Sequence, residues 1–400
     1  MDTLPLVAPE QVGLSAARLD RVRKWMHGWV DSGRLAGMVT VVMRRGELAF
    51  AETAGKADVE RNRPMRPDTI FRIYSMTKPL TSTAIMMLYE EGRFQLDDPI
   101  SKFIPAFANP RVYMGGSRGK IESVPAEREI TFRDLLTHTS GLTYGFMESN
   151  PVDALYRAKT NGVDFQTGTT SLKDIVERLG TFPLIAQPGK AWNYSVATDV
   201  LGYLVEVISG QPFQVYLKEK VLAPLGMVNT DFHVPADKHD RFAANYQAGP
   251  GGKLELIDDP GKSRYLAPRA VNSGGGGLVS TADDFFAFGQ MMLSGEGEIL
   301  SRKSVELMTT DQLTPAQKGV SGFMPGYFDN RGWGFGVAID TQRVDLQSVG
   351  RYGWDGGTGT SWWADPAEDL TGILLSQRMA FPLASPLYLD FWTSVYQAIE

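Results

Sequence analysis

The sequence predicts an α+β fold: an antiparallel β-sheet flanked by N- and C-terminal helices, with an inserted, mostly helical lobe. Three observations predict it. Apolar and β-branched runs cluster near both ends of the chain, at residues 37–43, 47–53, 334–340, 359–364 and 370–376. Between them, from about residue 75 to residue 313, the apolar spacing is mostly helical and the connections are rich in Gly and Pro. Helical patterns also precede the first strands and follow the last. Joining both ends in one sheet makes residues 1–74 and 325–400 one α/β domain and residues 75–324 a helical domain. The cleft between two such domains is a common place for chemistry.

The elements follow in order. Residues 15–30 read as a helix, with Ser15 at its cap and Leu19, Val22, Met26 and Trp29/Val30 on one side. The apolar run at 37–43, the Arg44-Arg45-Gly46 turn and the run at 47–53 read as a hairpin. An amphipathic helix begins near Ser75, since Pro79 is tolerated only in a first turn, and Gly92 ends it. A further helix starts near Thr281, and the chain closes with a helix over about 382–399. The aromatics Trp362, Trp363, Phe381, Tyr388, Phe391 and Trp392 are assigned to a sheet–helix core, with room for a few of them to line the cleft.

Composition narrows the function. The 400 residues suit two or three lobes, at roughly 100–200 residues each. A net charge of −6 with no long Lys/Arg run argues against a nucleic-acid partner. The absence of cysteine excludes disulfides, thiolate nucleophiles and cysteine metal sites. No apolar run approaches the ~18 residues of a membrane span, and residues 1–14 show no basic-then-apolar leader, so a cytoplasmic location is expected. The four histidines, His27, His138, His233 and His239, show no metal-ligand spacing, and no cofactor or metal is expected. His138 is read as stabilising a turn. The pairs Asp97-Asp98, Asp258-Asp259 and Asp283-Asp284 are read as caps and turn residues.

Two serines compete as nucleophile. Ser75-Met76-Thr77-Lys78 fits S-x-x-K at the start of a helix. Residues three apart share a helix face, so Lys78 can reach the Ser75 hydroxyl. The unpaired N–H groups of a helix start favour developing negative charge, and a buried lysine loses basicity until it can accept a proton. The rival is Gly115-Gly116-Ser117-Arg118-Gly119, which matches the G-x-S-x-G elbow and, with Lys120, a second S-x-x-K. That elbow needs a strand before it and a helix after it. Neither flank has such a pattern, so this match is read as a loop coincidence.

Three more segments fall into order with Ser75–Lys78. Upstream of the second is Leu135-Leu136-Thr137-His138-Thr139-Ser140-Gly141-Leu142. The second is Gln187-Pro188-Gly189-Lys190-Ala191-Trp192-Asn193-Tyr194-Ser195, a turn delivering Tyr194 to an apolar helix that stops at Gly210. The third is the glycine run 274–277 followed by Leu278-Val279-Ser280-Thr281-Ala282-Asp283-Asp284. This series resembles the serine β-lactamase and penicillin-binding-protein superfamily, most closely the class C β-lactamase-related branch that contains the family VIII carboxylesterases. The resemblance runs from about residue 14 to the end. It implies a β-lactamase/DD-peptidase-like fold with Ser75 as the acylated nucleophile and Lys78 and Tyr194 as its proton-transfer pair. Which of the two takes the serine proton stays open. Near the C-terminus, Tyr352-Gly353-Trp354-Asp355-Gly356-Gly357-Thr358 stands where the family has Lys-Thr-Gly. The resemblance then implies an oxyanion hole from the Ser75 and Gly357 N–H groups, and substrate contacts at Trp354, Asp355 and Gly356.

Two departures bear on substrate. Trp354 replaces the family's cation, and Val196 stands where an asparagine often follows the tyrosine. Both weaken the case for a β-lactam and favour an ester with a short or small acyl group. A small-molecule ester is therefore the expected partner. The alternatives on the same machinery are a β-lactamase or DD-peptidase, or an acyltransferase. An idle binding protein of this fold is the remaining one.

Overall fold

A computed structural model describes residues 5–117, 120–158, 170–295, 299–321, 324–379 and 386–400. Eight strands form the main sheet, in the order Arg331–Trp333, Ala338–Asp340, Tyr352–Gly356, Thr360–Asp365, Leu370–Ser376, Gly37–Arg44, Glu47–Asp58 and Arg63–Pro64. Every pairing is antiparallel, and the join between the two ends of the chain is Gly37–Arg44 against Leu370–Ser376, with Val41 opposite Ile373.

This central strand explains its own sequence. All eight of its residues are buried, which is why it reads as a continuous apolar run. Val39, Val41 and Met43 pack toward the helical block, while Met38 and Val42 pack toward the two terminal helices. Arg45 (φ 54°) and Gly46 (φ 78°) close the hairpin with two left-handed residues, the combination whose twist matches the flanking strands.

The helices Ala16–Asp31 and Pro386–Tyr396 cover the outer face. They touch through Trp25 and Phe391, whose ring centroids are 5.7 Å apart, and Ser15 N–H donates to the Ala398 carbonyl. Ser15 sits at the cap position, but Glu10 Oε1 accepts the Ala16 N–H instead. Of the predicted last helix, residues 382–385 lie outside the described residues, as does Phe381. Among the described residues, no helix is long and apolar enough to cross a membrane.

The helix Thr77–Glu90 departs from the amphipathic expectation. Ten consecutive residues, Thr77 to Met86, are buried, so it has no solvent face in nearly its first three turns. Two of its threonine hydroxyls find carbonyl acceptors: Thr83 Oγ1 donates to Pro79 O one turn back, and Thr81 Oγ1 to Gly274 O across the fold. The block predicted to be mostly helical also holds two hairpins, Arg111–Ser117 with Lys120–Pro125 and Asn245–Ala248 with Leu254–Asp258. The first was invisible to patterning because most of its side chains are exposed and a register shift falls between Tyr113 and Gly115. Ser117 therefore ends a strand and is followed by another strand, not by an elbow's helix; Arg118 and Gly119 lie outside the described residues.

Candidate active site

The chain enters the site along the short strand Phe71–Arg72, which pairs with Val279–Ser280. Tyr74 then takes a left-handed conformation (φ 43°), a strained choice for a tyrosine that throws the next residue into a single 3-10 turn, Tyr74–Met76, ahead of the helix. Ser75 sits in that turn, half-buried. Lys78, one turn on, is fully buried, with Nζ 3.2 Å from Ser75 Oγ and 2.7 Å from the Gly275 carbonyl that accepts from it. Pro79 costs nothing here, because a first-turn residue has no intrahelical partner for its missing N–H.

Tyr194 reaches the same point from 119 residues away, its hydroxyl donating to Ser75 Oγ at 2.7 Å. Two segments are zipped together to aim it. Gly189, at φ 79°, turns the chain so that its N–H meets Thr139 O, and Asn193 N–H meets His138 O. His138 Nδ1 lies 3.1 Å from Ser195 Oγ, beside the Tyr194 ring at 5.1 Å. His138 itself is at φ 55°, the turn the sequence assigned to it. Trp354 completes the set: its indole N–H donates to the Tyr194 hydroxyl oxygen at 3.1 Å.

Burial sets the electrostatics. It lowers Lys78 to about 7, against the opposing charge of Asp199. Asp199 is itself pushed up by burial, and is held by Ser273 Oγ at 2.5 Å and the Gly275 N–H at 3.1 Å. Burial also raises Tyr194, in spite of its bonds to Ser75 and Trp354, so the phenol stays protonated at neutral pH. His138 is driven well below its ordinary value by burial and then by the Lys78 charge.

Asp199, the Gly275 carbonyl and Tyr144, whose ring lies 5.3 Å from that of Tyr194 and 5.5 Å from Lys78 Nζ, belong to the site and were not singled out for it from sequence. Asp199 follows Tyr194 by five residues, in the first turn of the helix Ala197–Ser209, where an acid looks like an ordinary N-terminal charge. The glycine run 274–277 does make the close crossing its composition suggested. A Cβ on Gly274 would stand 2.5 Å from Thr198 O, and one on Gly275 2.6 Å from Asp199 Oδ2.

The C-terminal side is built by the strand Tyr352–Gly356 and the turn after it. Trp354 and Asp355 point to opposite faces, as neighbours on a strand must. Trp354 faces Tyr194, but only 1% of it is exposed and its polar atom is already engaged, so its contact is with the phenol. Asp355 does not line the cleft: its carboxylate accepts from Ser361 Oγ and Trp363 Nε1 beneath the last helix. Gly356 abuts the nucleophile segment, since a Cβ there would lie 2.3 Å from Ile73 O, and its carbonyl accepts from Tyr388. Gly357 is different. It is half-buried, with open space where a side chain would project. Thr358 Oγ1 donates to Arg72 O and Thr360 Oγ1 to Ile73 O, so this turn is tied directly to the segment that carries Ser75.

Other candidates separate from this point. Ser117 is exposed on its hairpin. Asp97 and Asp98 pair with Arg133 and Lys102, Asp258 and Asp259 with Arg72 and Arg61, and Asp284 accepts the Thr281 cap. His233 lies 3.4 Å from Asp231. Among the described residues, no cluster of His, Asp and Glu has the makings of a metal site. Val196 is buried, its N–H bonded to Thr143 O.

The family model described as Beta-lactamase matches residues 22–388. Esterase EstB of Burkholderia gladioli is 33% identical over 402 residues, covering 95% of each chain. Among solved structures, EstCE1, described as a hydrolase with promiscuous acyltransferase activity, superposes with a TM-score of 0.81 at 28% identity, covering 95% of this chain and 99% of its own. Unliganded simvastatin synthase LovD from Aspergillus terreus gives 0.79 at 25% identity, covering 96% and 98%. With nine-tenths of its length under the family model, the chain belongs to the beta-lactamase family and is a serine hydrolase of that fold.

Proposed function

We propose that this protein hydrolyses carboxylic esters with a short or small acyl group, through an acyl-enzyme on Ser75. One observation carries the reading: Ser75 Oγ stands within hydrogen-bond reach of both Lys78 Nζ and the Tyr194 hydroxyl. A serine hydroxyl needs such a base to attack at neutral pH.

The donors run in one direction. Trp354 N–H points to the Tyr194 oxygen, Tyr194 O–H to Ser75 Oγ, and Lys78 N–H to Gly275 O. The lone pair of a neutral Lys78 is then the acceptor for the serine proton. Ser75 Oγ attacks the ester carbonyl as Lys78 takes that proton. The oxyanion sits against the N–H groups of Ser75 and Gly357, each such donor being worth a few kcal/mol in the transition state. When the C–O bond breaks, Tyr194 protonates the departing alkoxide and recovers its proton from Lys78. Water repeats the sequence in reverse to release the acid. The substrate approaches through the cleft between the sheet domain (residues 1–74 and 325–400) and the helical domain (residues 75–324). Asp199 acts as a positioning residue, holding the glycine run whose carbonyl anchors Lys78.

Trp354 in place of a cation and Val196 in place of an amide support an ester over a β-lactam. The test is covalent. A fluorophosphonate is expected to add once, to the peptide holding Ser75, by mass measurement, and p-nitrophenyl acetate to turn over faster than nitrocefin. No adduct, or faster nitrocefin turnover, sinks the proposal. Acyl transfer is the second reading, favoured by the likeness to EstCE1, a hydrolase with promiscuous acyltransferase activity. Transfer to an added alcohol exceeding hydrolysis at equal occupancy selects it.

Trp354→Phe is expected to lower kcat about fivefold. It removes one neutral hydrogen bond to the phenol, roughly 1 kcal/mol, while keeping the ring. Steady-state kinetics at pH 8 checks it, and an unchanged kcat contradicts the donor role.

A further inference from the structure

We infer that Gln377 is a positioning residue that sets the gap between the two N–H groups facing the ester's carbonyl oxygen, those of Ser75 and Gly357. The inference rests on the ester reading above and adds to it the side chain that keeps its oxyanion hole in shape.

The two donors come from distant parts of the chain. Ser75 follows the short strand Phe71–Arg72, and Gly357 follows the strand Tyr352–Gly356. Whatever keeps them in register must touch both segments. Gln377, the residue after the strand Leu370–Ser376, does so and is buried, with 5% of it exposed. Its Oε1 accepts from the Arg72 backbone N–H at 3.1 Å, and its Nε2 donates to the Arg72 carbonyl at 3.1 Å. The amide thus exchanges both bonds with one residue, as a neighbouring strand does. Nε2 also reaches Thr358 Oγ1 at 3.4 Å and Ser376 O at 2.7 Å. Thr358 Oγ1 in turn donates to the Arg72 carbonyl at 2.9 Å, which closes a triangle of Gln377, Arg72 and Thr358.

The backbone beside Gln377 holds the other segment. Ser376 N–H donates to Gly359 O at 3.1 Å and Arg378 N–H to Thr358 O at 2.9 Å. The main chain on either side of Gln377 therefore fastens the turn that carries Gly357, while its side chain fastens the segment that carries Ser75. The orientation of the amide is fixed as well. Oε1 also accepts from Arg72 Nη1 at 3.1 Å, so it faces two groups that can only donate. The guanidinium is anchored in its own right: Nε donates to Asp258 Oδ2 at 2.7 Å, Nη1 to Ala243 O at 2.6 Å and Nη2 to Ser263 Oγ at 3.2 Å. An oxyanion hole works only while its donors meet the oxygen at hydrogen-bond distance, and a misplacement of about 1 Å can cost about 100-fold.

The test exchanges the atom that the hole grips. p-Nitrophenyl acetate and its thiono analogue differ in C=O against C=S and release the same chromophore, and kcat/KM reports acylation of both. Wild type is expected to favour the oxygen ester by about 100-fold or more, because donors spaced for oxygen serve the larger sulfur poorly. Gln377→Met is expected to lower kcat/KM on the oxygen ester about 30-fold, through kcat, and on the thiono ester less than about threefold, so that the ratio falls about tenfold. An equal loss on both substrates marks Gln377 as a structural support only and overturns the inference. So does an unchanged oxygen-ester rate, or a wild-type ratio near one, and the esterase then stands. If a thermal melt shows Gln377→Met unfolded, Thr358→Val decides: it removes one side of the triangle, and the ratio is expected to fall about three- to fivefold. An unchanged ratio in Thr358→Val overturns the inference. Failure to cleave p-nitrophenyl acetate at all overturns the ester reading and this inference with it.

Discussion

Ser75→Ala is expected to lower kcat/KM on p-nitrophenyl acetate by at least about 1,000-fold and to abolish the fluorophosphonate adduct, because the acyl-enzyme then has no oxygen to form on. Folding is expected to survive. The lost hydroxyl accepts from Tyr194 and lies beside Lys78, but Lys78 keeps the Gly275 carbonyl and Tyr194 keeps the Trp354 N–H. The cost is one buried polar contact, about 1–3 kcal/mol, which a thermal melt separates from global unfolding. Ser117→Ala is the matched control. Its serine carries both rival motifs yet sits exposed at a strand end, and full activity is expected. Retention of more than a tenth of wild-type kcat/KM in Ser75→Ala, or its loss in Ser117→Ala, would move the nucleophile elsewhere.

Much of this was legible in the residues, and the limits have physical causes. The central strand at 37–44 could be read because burial on both faces leaves no polar position in the pattern. Ser75 and Lys78 could be singled out by motif and helix spacing, and Tyr194 by the resemblance of its Pro-Gly segment to the family's. Asp199 could not: an acid in the first turn of a helix has an ordinary reason to be there, and only the fold shows it buried against a glycine run that comes 75 residues later. Asp355 failed for the opposite reason. It stands in the right motif, but strand alternation turns it away from Trp354 and into the layer under the last helix. The Arg111–Pro125 hairpin escaped because an exposed two-stranded ribbon has no core face to imprint a period. Sequence patterns record what a side chain is buried against, so they carry the core well and partners across the fold poorly.

The pH dependence tests the base itself. Burial lowers Lys78 to about 7, so the amine is neutral above that pH and protonated below it. Activity is expected to fall tenfold per pH unit below a midpoint near 7 in kcat/KM. Tyr194 is pushed upward, so its ionisation does not enter that limb. The direction of a shift is the sharper check. Asp199 raises the Lys78 value through its charge, opposing the desolvation. Removing that charge with Asp199→Asn keeps an acceptor for Ser273 and the Gly275 N–H, and should move the acid limb to lower pH. Lys78→Met, which keeps the buried stem without the amine, should instead lose activity by about 1,000-fold at every pH from 6 to 9, with no limb left to measure. A merely structural lysine gives a different pattern: Lys78→Met then scales activity down with the melt, and Asp199→Asn leaves the midpoint in place. A limb that stays near 10, or one that moves upward in Asp199→Asn, would mean that the proton from Ser75 goes to another group, and Tyr194 is the one other side chain in contact with its oxygen among the described residues.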